Sequence, residues 1–504
     1  MVKNTVWRGA FWLSVGSFIS KLIGSIYRIF LPRVLGDYGV GLFQMAYPLY
    51  AILLAISVNG IPTALAKEMA EKLSQGNGSQ AERLASWAQL VLGIVGLGLA
   101  FATELAAPWI AKTLFHEPAS VWALRALSPA LAFVALEASF RGYFQGYQDM
   151  RPTAVSQILE QVARVMVMFP LAYRFLPYGI DKAAAGATLG APVGAMIGMI
   201  FLGIERFKRG RWSISGRFPF RDLWRLASVA LPMSLSGLLF PLMLMADSMF
   251  VPARLMLSGY SLEGATARFG QLSGEAMPLI NLTMVVGAAL AVSLVPSIAR
   301  SILGNNQKEA NRQVGNAVHL IWLLCLPMAG GLILLARQLT WLLYGESGAA
   351  GALQVLALGS PILAIQQVIG SSLQASGHGW VTVRNLIYGA LVKFLLTWWL
   401  TPIAFWGIRG AALGTVGAAA IAAYLNWRDW TRIVGAAHPF HSVWWPLVGT
   451  VVMAMGLHLW MASPFLMARW AHVGAAVILG ILLYAGVILV SGESRAVLIA
   501  LKER

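Results

Sequence analysis

The sequence predicts an all-α polytopic membrane protein with about 14 transmembrane helices. They form two six-helix lobes related as a parallel repeat, followed by two C-terminal helices. Three observations predict this. The 504 residues are 58% hydrophobic and only 11% charged, with a mean hydropathy of +0.70, whereas soluble domains carry about a quarter charged residues. Apolar runs long enough to cross a bilayer recur along the whole chain. The two halves also repeat each other weakly. With 20 acids and 37 bases, the chain lacks a charged skin for several soluble domains. A soluble enzyme, a disordered chain and a nucleic-acid module are therefore excluded. The single cysteine, Cys325, excludes a disulfide framework and a cysteine-built metal site.

The candidate spans run in order over 7–32, 38–66, 83–113, 119–143, 152–174, 183–205 and 223–255. The second half continues with 277–300, 312–343, 352–376, 381–402, 409–430, 443–463 and 467–491. Each holds about 20 mostly apolar residues, the length that a bilayer core demands. Polar segments separate span two from three (Glu68 to Glu82) and span eight from nine (Arg300 to Arg312). Span seven carries Pro232 and Pro241, which favour a bend. Tryptophans gather at span ends (Trp7, Trp109, Trp224, Trp341, Trp380, Trp406, Trp444), as an interfacial belt requires.

Orientation follows from the bases. With the N-terminus in the cytoplasm, cytoplasmic ends and loops hold 23 of the 37, outer regions 11, and Lys21, Arg164 and Lys393 lie mid-span. The central connection decides it with Arg206, Lys208, Arg209, Arg211, Arg217, Arg221 and Arg225. Both termini are expected in the cytoplasm of a bacterial cell, with the chain multi-pass in the cytoplasmic membrane.

Gly179–Gly186 matches Gly407–Gly414 at five of eight positions. At nearly the same offset Gln145 falls on Gln374, Arg164 on Lys393 and Ile61-Pro62-Thr63 on Val295-Pro296-Ser297. Six crossings return the chain to the side it left, so the two units are parallel, an architecture that alternating-access transporters share. The expected organisation is an N-terminal lobe at 1–206, a basic cytoplasmic linker at 207–222, a C-terminal lobe at 223–434, and the last two helices with a short tail at 435–504.

There is no GxxxxGK(S/T), HExxH, CxxC or GxSxG motif, hence no catalytic constellation and no expected cofactor or metal site. The informative residues are mid-span ions. A base at the bilayer centre costs roughly 2.5–3.5 kcal/mol on insertion scales, and snorkelling relieves only those near helix ends. Lys21, Arg28, Arg164 and Lys393 are therefore candidate cavity cations. Glu160 lies four residues before Arg164, so an intrahelical pair is the competing reading there. Glu137 and Arg141 form a second such pair. Asp247 is a candidate for binding a coupling cation. Gln44, Asn59 and Gln157 are candidate polar contacts for sugar, or simple bridges between helices. Gly186, Gly190, Gly194 and Gly198, with Gly410, Gly414, Ala418 and Ala422 as their counterparts, read as ridges for close helix packing. Four cations against Glu160 leave the expected cavity positive, which suits an anionic cargo such as a phosphate-bearing headgroup.

Three stretches carry a resemblance. Ser20-Lys21-Leu22-Ile23-Gly24 resembles the first helix of the lipid II flippases. Gly41-Leu42-Phe43-Gln44-Met45-Ala46-Tyr47-Pro48 and Arg141-Gly142-Tyr143-Phe144-Gln145-Gly146-Tyr147-Gln148-Asp149-Met150-Arg151-Pro152-Thr153 resemble the stage V sporulation protein B branch of the same superfamily. The resemblance implies the fold of the multidrug/oligosaccharidyl-lipid/polysaccharide exporters. It also implies a flippase for a lipid-linked saccharide, lipid II or a related cell-wall precursor, and places Lys21 at a basic cavity position. The next basic position of that motif falls on Tyr27, with Arg28 beside it. The partners implied are the lipid-linked saccharide, membrane lipids and a coupling cation, with no nucleic acid. A monomer is the default expectation. Two alternatives accompany this reading, an ion-coupled small-molecule exporter and a non-transporting scaffold for envelope assembly.

Overall fold

The computed structural model describes residues 2–55, 60–209, 214, 218–435, 443–462 and 469–493. Asn59 lies outside the described residues, as does the side chain of Lys21. Among the described residues every regular element is helical. In chain order they are α1 (Val2–Ala55), α2 (Ile61–Ser74), α3 (Gly78–Trp109), α4 (Val121–Gly146), α5 (Arg151–Phe175), α6 (Ile180–Thr188), α7 (Gly190–Lys208), α8 (Phe220–Met256) and α9 (Leu262–Gly270). They continue as α10 (Met277–Leu303), α11 (Gln307–Leu334), α12 (Ala336–Tyr344), α13 (Ala350–Ala375), α14 (Gly379–Leu400), α15 (Ile408–Ile433), α16 (Trp444–Ala462) and α17 (Arg469–Val490).

Among the described residues, eleven helical segments are long and apolar enough to cross a membrane. The three expected spans outside that set are the two arms of α1 and helix α14. Helix α14 carries Arg384, Asn385 and Lys393 within its apolar run. The arms of α1 meet at Gly36, whose φ of 64° and ψ of 175° break the helix between spans one and two. Only glycine adopts that conformation without strain. Helix α3 shows a lipid-facing stripe: Ile94, Leu97, Phe101 and Leu105 are 61–66% exposed, a pattern that water would penalise and acyl chains welcome. Trp109, Trp224, Trp341, Trp380 and Trp444 are also exposed.

The chain separates into two compact units, Met1–Ala253 with Ser261–Gly270, and Arg254–Tyr260 with Gln271–Arg504. In the first, Ile61, Leu65 and Met69 of α2 pack with Leu84 of α3, Phe144 of α4 and Leu226 of α8. A second core joins Leu31, Leu35 and Leu42 of α1 to Met168 of α5 and Ala187 of α6. In the second unit, Ile298 of α10, Ile321 of α11, Val368 of α13 and Trp430 of α15 form the centre. Met453 and Leu457 of α16 with Ala476 of α17 make a satellite core with Leu335.

Most of α8, together with α9, groups with the first unit. Helix α8 stays with the first unit because ions and apolar contacts hold its start to α2. Arg225 pairs with Glu68 at 2.9 Å and Glu71 at 2.8 Å, and Lys72 with Asp222 at 3.2 Å. Helix α9 stays there too, because buried Glu117 accepts a hydrogen bond from Thr266 Oγ1 at 2.8 Å.

The glycine ridge acts as packing. A Cβ on Gly190 would lie 2.7 Å from Arg164 O, and one on Gly194 2.5 Å from Glu160 O. Helices α5 and α7 therefore touch backbone to backbone, a small-residue contact. In the second unit a Cβ on Gly414 would lie 3.0 Å from Lys393 O. So Gly190, and not Gly186, is the structural counterpart of Gly414. The sequence match Gly179–Gly186 with Gly407–Gly414 is offset from this contact register, since α6 and α7 are separate helices meeting at Leu189 while α15 is continuous.

Candidate functional site

The polar face of α5 is turned toward α1 and α4. Its residues recur at three- and four-residue intervals, which places them on one side of a helix. Near the N-terminal end of α5, Gln157 accepts a hydrogen bond from Ser17 Oγ at 2.9 Å on its side chain, and one from Ser20 Oγ at 2.7 Å on its carbonyl. Gln157 thus bridges α5 to α1.

Further along, Glu160 and Arg164 enter a buried chain of charge. Arg164 Nη2 donates to Glu160 Oε1 at 3.0 Å and to Tyr50 OH at 2.6 Å. Tyr50 OH donates in turn to Glu160 Oε1 at 3.3 Å. The other oxygen of Glu160 accepts from Arg141 Nη2 at 3.0 Å, and that same nitrogen reaches Glu137 Oε1 at 2.6 Å. All four ions are no more than 5% exposed. At such burial each charge demands a partner, and here two arginines and two carboxylates alternate.

The chain ends in a fifth ion. Tyr27, buried, interacts with both Arg164 and Arg28. Arg28 Nη2 donates to Tyr47 OH at 2.5 Å, and its guanidinium lies 4.8 Å from the Tyr47 ring centroid. The Tyr47 and Tyr50 rings are 6.0 Å apart. Arg28 therefore meets phenols where Arg164 meets a carboxylate. The cluster holds three arginines against two glutamates and is left with one surplus positive charge, which falls at partly buried Arg28.

Tyr27, Tyr50, Glu137 and Arg141 escaped prediction as members of one site. The signals were present: Tyr47 and Tyr50 are three residues apart, and Glu137 and Arg141 four, each a same-face spacing. What the spacing omits is that α1, α4 and α5 converge.

The stretch Arg141–Thr153 does a different job. Tyr143 OH and Tyr147 OH both donate to Glu82 on α3, at 3.1 and 2.5 Å. Glu82 pairs with Arg206 of α7 at 2.7 Å, and the Arg206 guanidinium lies 3.8 Å from the Tyr143 ring centroid. Asp149 pairs with Arg209. Gly142 and Gly146 meet Leu65 and Met69 of α2, where a Cβ would come within 2.9 and 2.8 Å. This motif braces five helices at one end of the unit. Arg206, counted from sequence among the bases of the central connection, is 1% exposed and paired.

A family model described as "Polysaccharide biosynthesis protein" matches residues 6–302, more than half of the chain. The chain belongs to the polysaccharide biosynthesis protein family. A second model, MatE, matches residues 232–399. Stage V sporulation protein B of Bacillus subtilis (strain 168) is 30% identical over 427 residues, 82% of this chain and 82% of that one. Lipid II flippase MurJ of the same organism is 27% identical over 418 residues, 77% of this chain and 76% of that one. Among solved structures, that titled "Lipid II flippase MurJ, inward closed conformation" superposes with a TM-score of 0.73 at 15% identity, covering 96% of this chain and 99% of that chain. The fold is thus that of the flippases and exporters of this superfamily. The chain is a multi-pass membrane protein of the transporter class and not an enzyme.

The second unit supplies one more buried cation. Lys393 is 7% exposed on α14, beside the α15 ridge, with its own interactions. Asp247 and Gln44 are partly buried on α8 and α1, each likewise engaged. The first unit therefore gathers Arg28, Arg164, Glu160 and Gln157 along α1 and α5, while Lys393 belongs to the second.

Proposed function

We propose that this chain is a flippase that moves a polyprenyl-pyrophosphate-linked saccharide, lipid II or a related cell-wall or polysaccharide precursor, across the bacterial cytoplasmic membrane by alternating access. The observation that carries the reading is the surplus positive charge at Arg28. Two phenols satisfy its donors in part, yet no carboxylate neutralises it among the interactions described. A guanidinium so placed is suited to a planar, bidentate grip on a phosphate oxygen pair. The name of one Bacillus relative, lipid II flippase MurJ, supports the same cargo class.

In this reading Arg28 meets the pyrophosphate, with Lys21 as a further basic contact, while Lys393 is a separate candidate cation of the second unit. Gln44, Asn59 and Gln157 are the candidate polar contacts for the saccharide, and Asp247 is the candidate for a coupling cation. The lobes 1–206 and 223–434 are the moving bodies, with 207–222 and both termini in the cytoplasm. No bond is broken: the headgroup trades water on one side for the protein's charges and then for water on the other. A cationic-drug exporter would need surplus acid, and Glu160 is already shared by two arginines.

Reconstitution in liposomes with fluorescent lipid II, and in parallel with undecaprenyl-phosphate-linked sugar, tests it. Protein-dependent exposure of lipid II on the far leaflet is expected, with at least a tenfold loss in Arg28→Gln. Exposure of neither lipid, or full transport by Arg28→Gln, overturns the reading.

A further inference from the structure

The anion-binding reading gives Arg28 its role but leaves the four buried ions beside it without one. Their arrangement is specific. Glu137 touches Arg141, Arg141 touches Glu160, Glu160 touches Arg164, and Arg164 interacts with the same Tyr27 as Arg28. A single pair, Glu160–Arg164, would have sufficed to neutralise Arg164. The added pair from α4 instead divides Glu160 between two arginines. Glu137 is what prevents Arg141 from claiming Glu160 outright. The Glu137 carboxylate is held in place, since it lies against Gly198 of α7 where even a Cβ would collide with it.

We propose that Glu137 sets how much positive charge this cluster offers to an anionic headgroup. It is a positioning residue that acts through Arg141, Glu160 and Arg164 and does not touch cargo. The proposal rests on the anion-binding reading of Arg28. With Glu137 charged, Arg141 and Arg164 are balanced and Arg28 alone faces the anion, a grip from which the headgroup can leave. With Glu137 neutral, two buried arginines compete for one carboxylate. The surplus reaches Arg164, which then adds to Arg28 across Tyr27. In an interior of low effective dielectric an uncompensated charge is not screened, so an anionic ligand becomes its best partner. Cargo binds more tightly and leaves more slowly.

The test is a charge cycle on purified protein, with undecaprenyl pyrophosphate as the binding probe and fluorescent lipid II in liposomes for transport. Glu137→Gln is expected to tighten binding and lower KM about tenfold while reducing kcat by a similar factor, since a tenfold change in binding is about 1.4 kcal/mol. Arg141→Gln, which removes a positive charge, is expected to weaken binding. The double variant Glu137→Gln/Arg141→Gln conserves the charge count and is expected to return binding to within about twofold of the parent. A merely structural role predicts that both single variants lose binding and that the double loses more; that result overturns the proposal. If Glu137→Gln does not yield monodisperse protein, the double variant decides alone: parental binding supports charge-setting, and a tenfold loss refutes it. Arg28→Gln separates the two layers. Unchanged binding in Arg28→Gln sinks the anion-site reading itself. Lost binding there, with no tightening in Glu137→Gln, sinks only the charge-setting role.

Discussion

The crossing of α5 with α7 and the crossing of α14 with α15 are built alike, each pressing small residues against a helix that carries a mid-span cation, but one turn before that cation the glycine sits on opposite partners. In the first unit the glycine is Gly194 on α7, and it lies against the backbone of Glu160. In the second it is Gly389, one turn before Lys393 on α14, and a Cβ there would lie 2.7 Å from Ala418 O. Moving the glycine from one helix to the other decides which of them may carry a large side chain at the closest approach. Where α7 gives way, α5 holds a glutamate that neutralises Arg164. Where α14 gives way, that acid has no room, and Lys393 must be accommodated in another manner. The handling of a buried cation is thus fixed by packing geometry one turn away.

The harshest way to break the comparison is to force one crossing to resemble the other. Gly389→Glu gives the second unit the acid of the first without the space for it. Overpacking alone costs about 1–3 kcal/mol, and a carboxylate wedged between backbones adds desolvation. A loss of at least about 3 kcal/mol is expected. Fluorescence-detected size-exclusion chromatography would show the monodisperse peak collapsing. A well-folded Gly389→Glu protein with the parental melting temperature would mean that α14 and α15 do not touch as described.

Glu160→Gln sharpens the same contrast from the other side, removing the acid that lies one turn before Arg164. Breaking a buried pair by removing one partner costs about 3–5 kcal/mol. The low end applies, since Glu137 still holds Arg141 and Tyr50 still holds Arg164. Thermal unfolding in detergent should show the drop, and Glu160→Asp should recover part of it. Equal melting temperatures for Glu160→Gln and the parent would remove Glu160 from its bridging position.

Much of this was legible in the sequence, for identifiable reasons. Apolar length and helical period are local properties, so α3, α4 and α5 lie close to where hydropathy places them. The i,i+4 spacing of Glu160 and Arg164, and of Glu137 and Arg141, announced both pairs, and the four-residue glycine period announced the ridge. What stayed hidden was non-local. That Arg141 reaches across to Glu160 depends on the crossing of α4 with α5, and that Tyr50 reaches Arg164 depends on the turn at Gly36. Charge counting also misjudged Arg206. A base just beyond an apolar run looks like a loop residue, yet α7 extends to Lys208 and buries it against Glu82.

The brace at the ends of α3, α4 and α7 permits a milder test. Tyr147→Phe removes one of two hydroxyls donated to Glu82 and leaves the Tyr143 hydroxyl and Arg206 in place. A hydrogen bond to a charged group is worth about 1.5–3 kcal/mol. About 1.5 kcal/mol is expected here, because Tyr147 is only partly buried and water can enter. Chemical denaturation of the purified protein measures it, and no change at all would make the short contact to Glu82 incidental.

Lys208 gives the smallest effect and the clearest internal control. It lies two residues beyond Arg206 on the same helix and forms an ion pair of nearly the same length, 2.6 Å to Glu205 against 2.7 Å from Arg206 to Glu82. The difference is exposure: the Lys208 side chain is 64% exposed and that of Arg206 is 0% exposed. In water the Coulomb gain of such a pair is largely offset by side-chain entropy and screening. Lys208→Ala is therefore expected to shift stability by no more than about 0.5 kcal/mol, with added salt abolishing even that. Arg206→Ala leaves buried Glu82 with the Tyr143 and Tyr147 hydroxyls but no counter-charge, and should cost several times more. If the two substitutions prove equal, burial is not what gives these ion pairs their weight, and the contrast between the two crossings loses its physical basis as well.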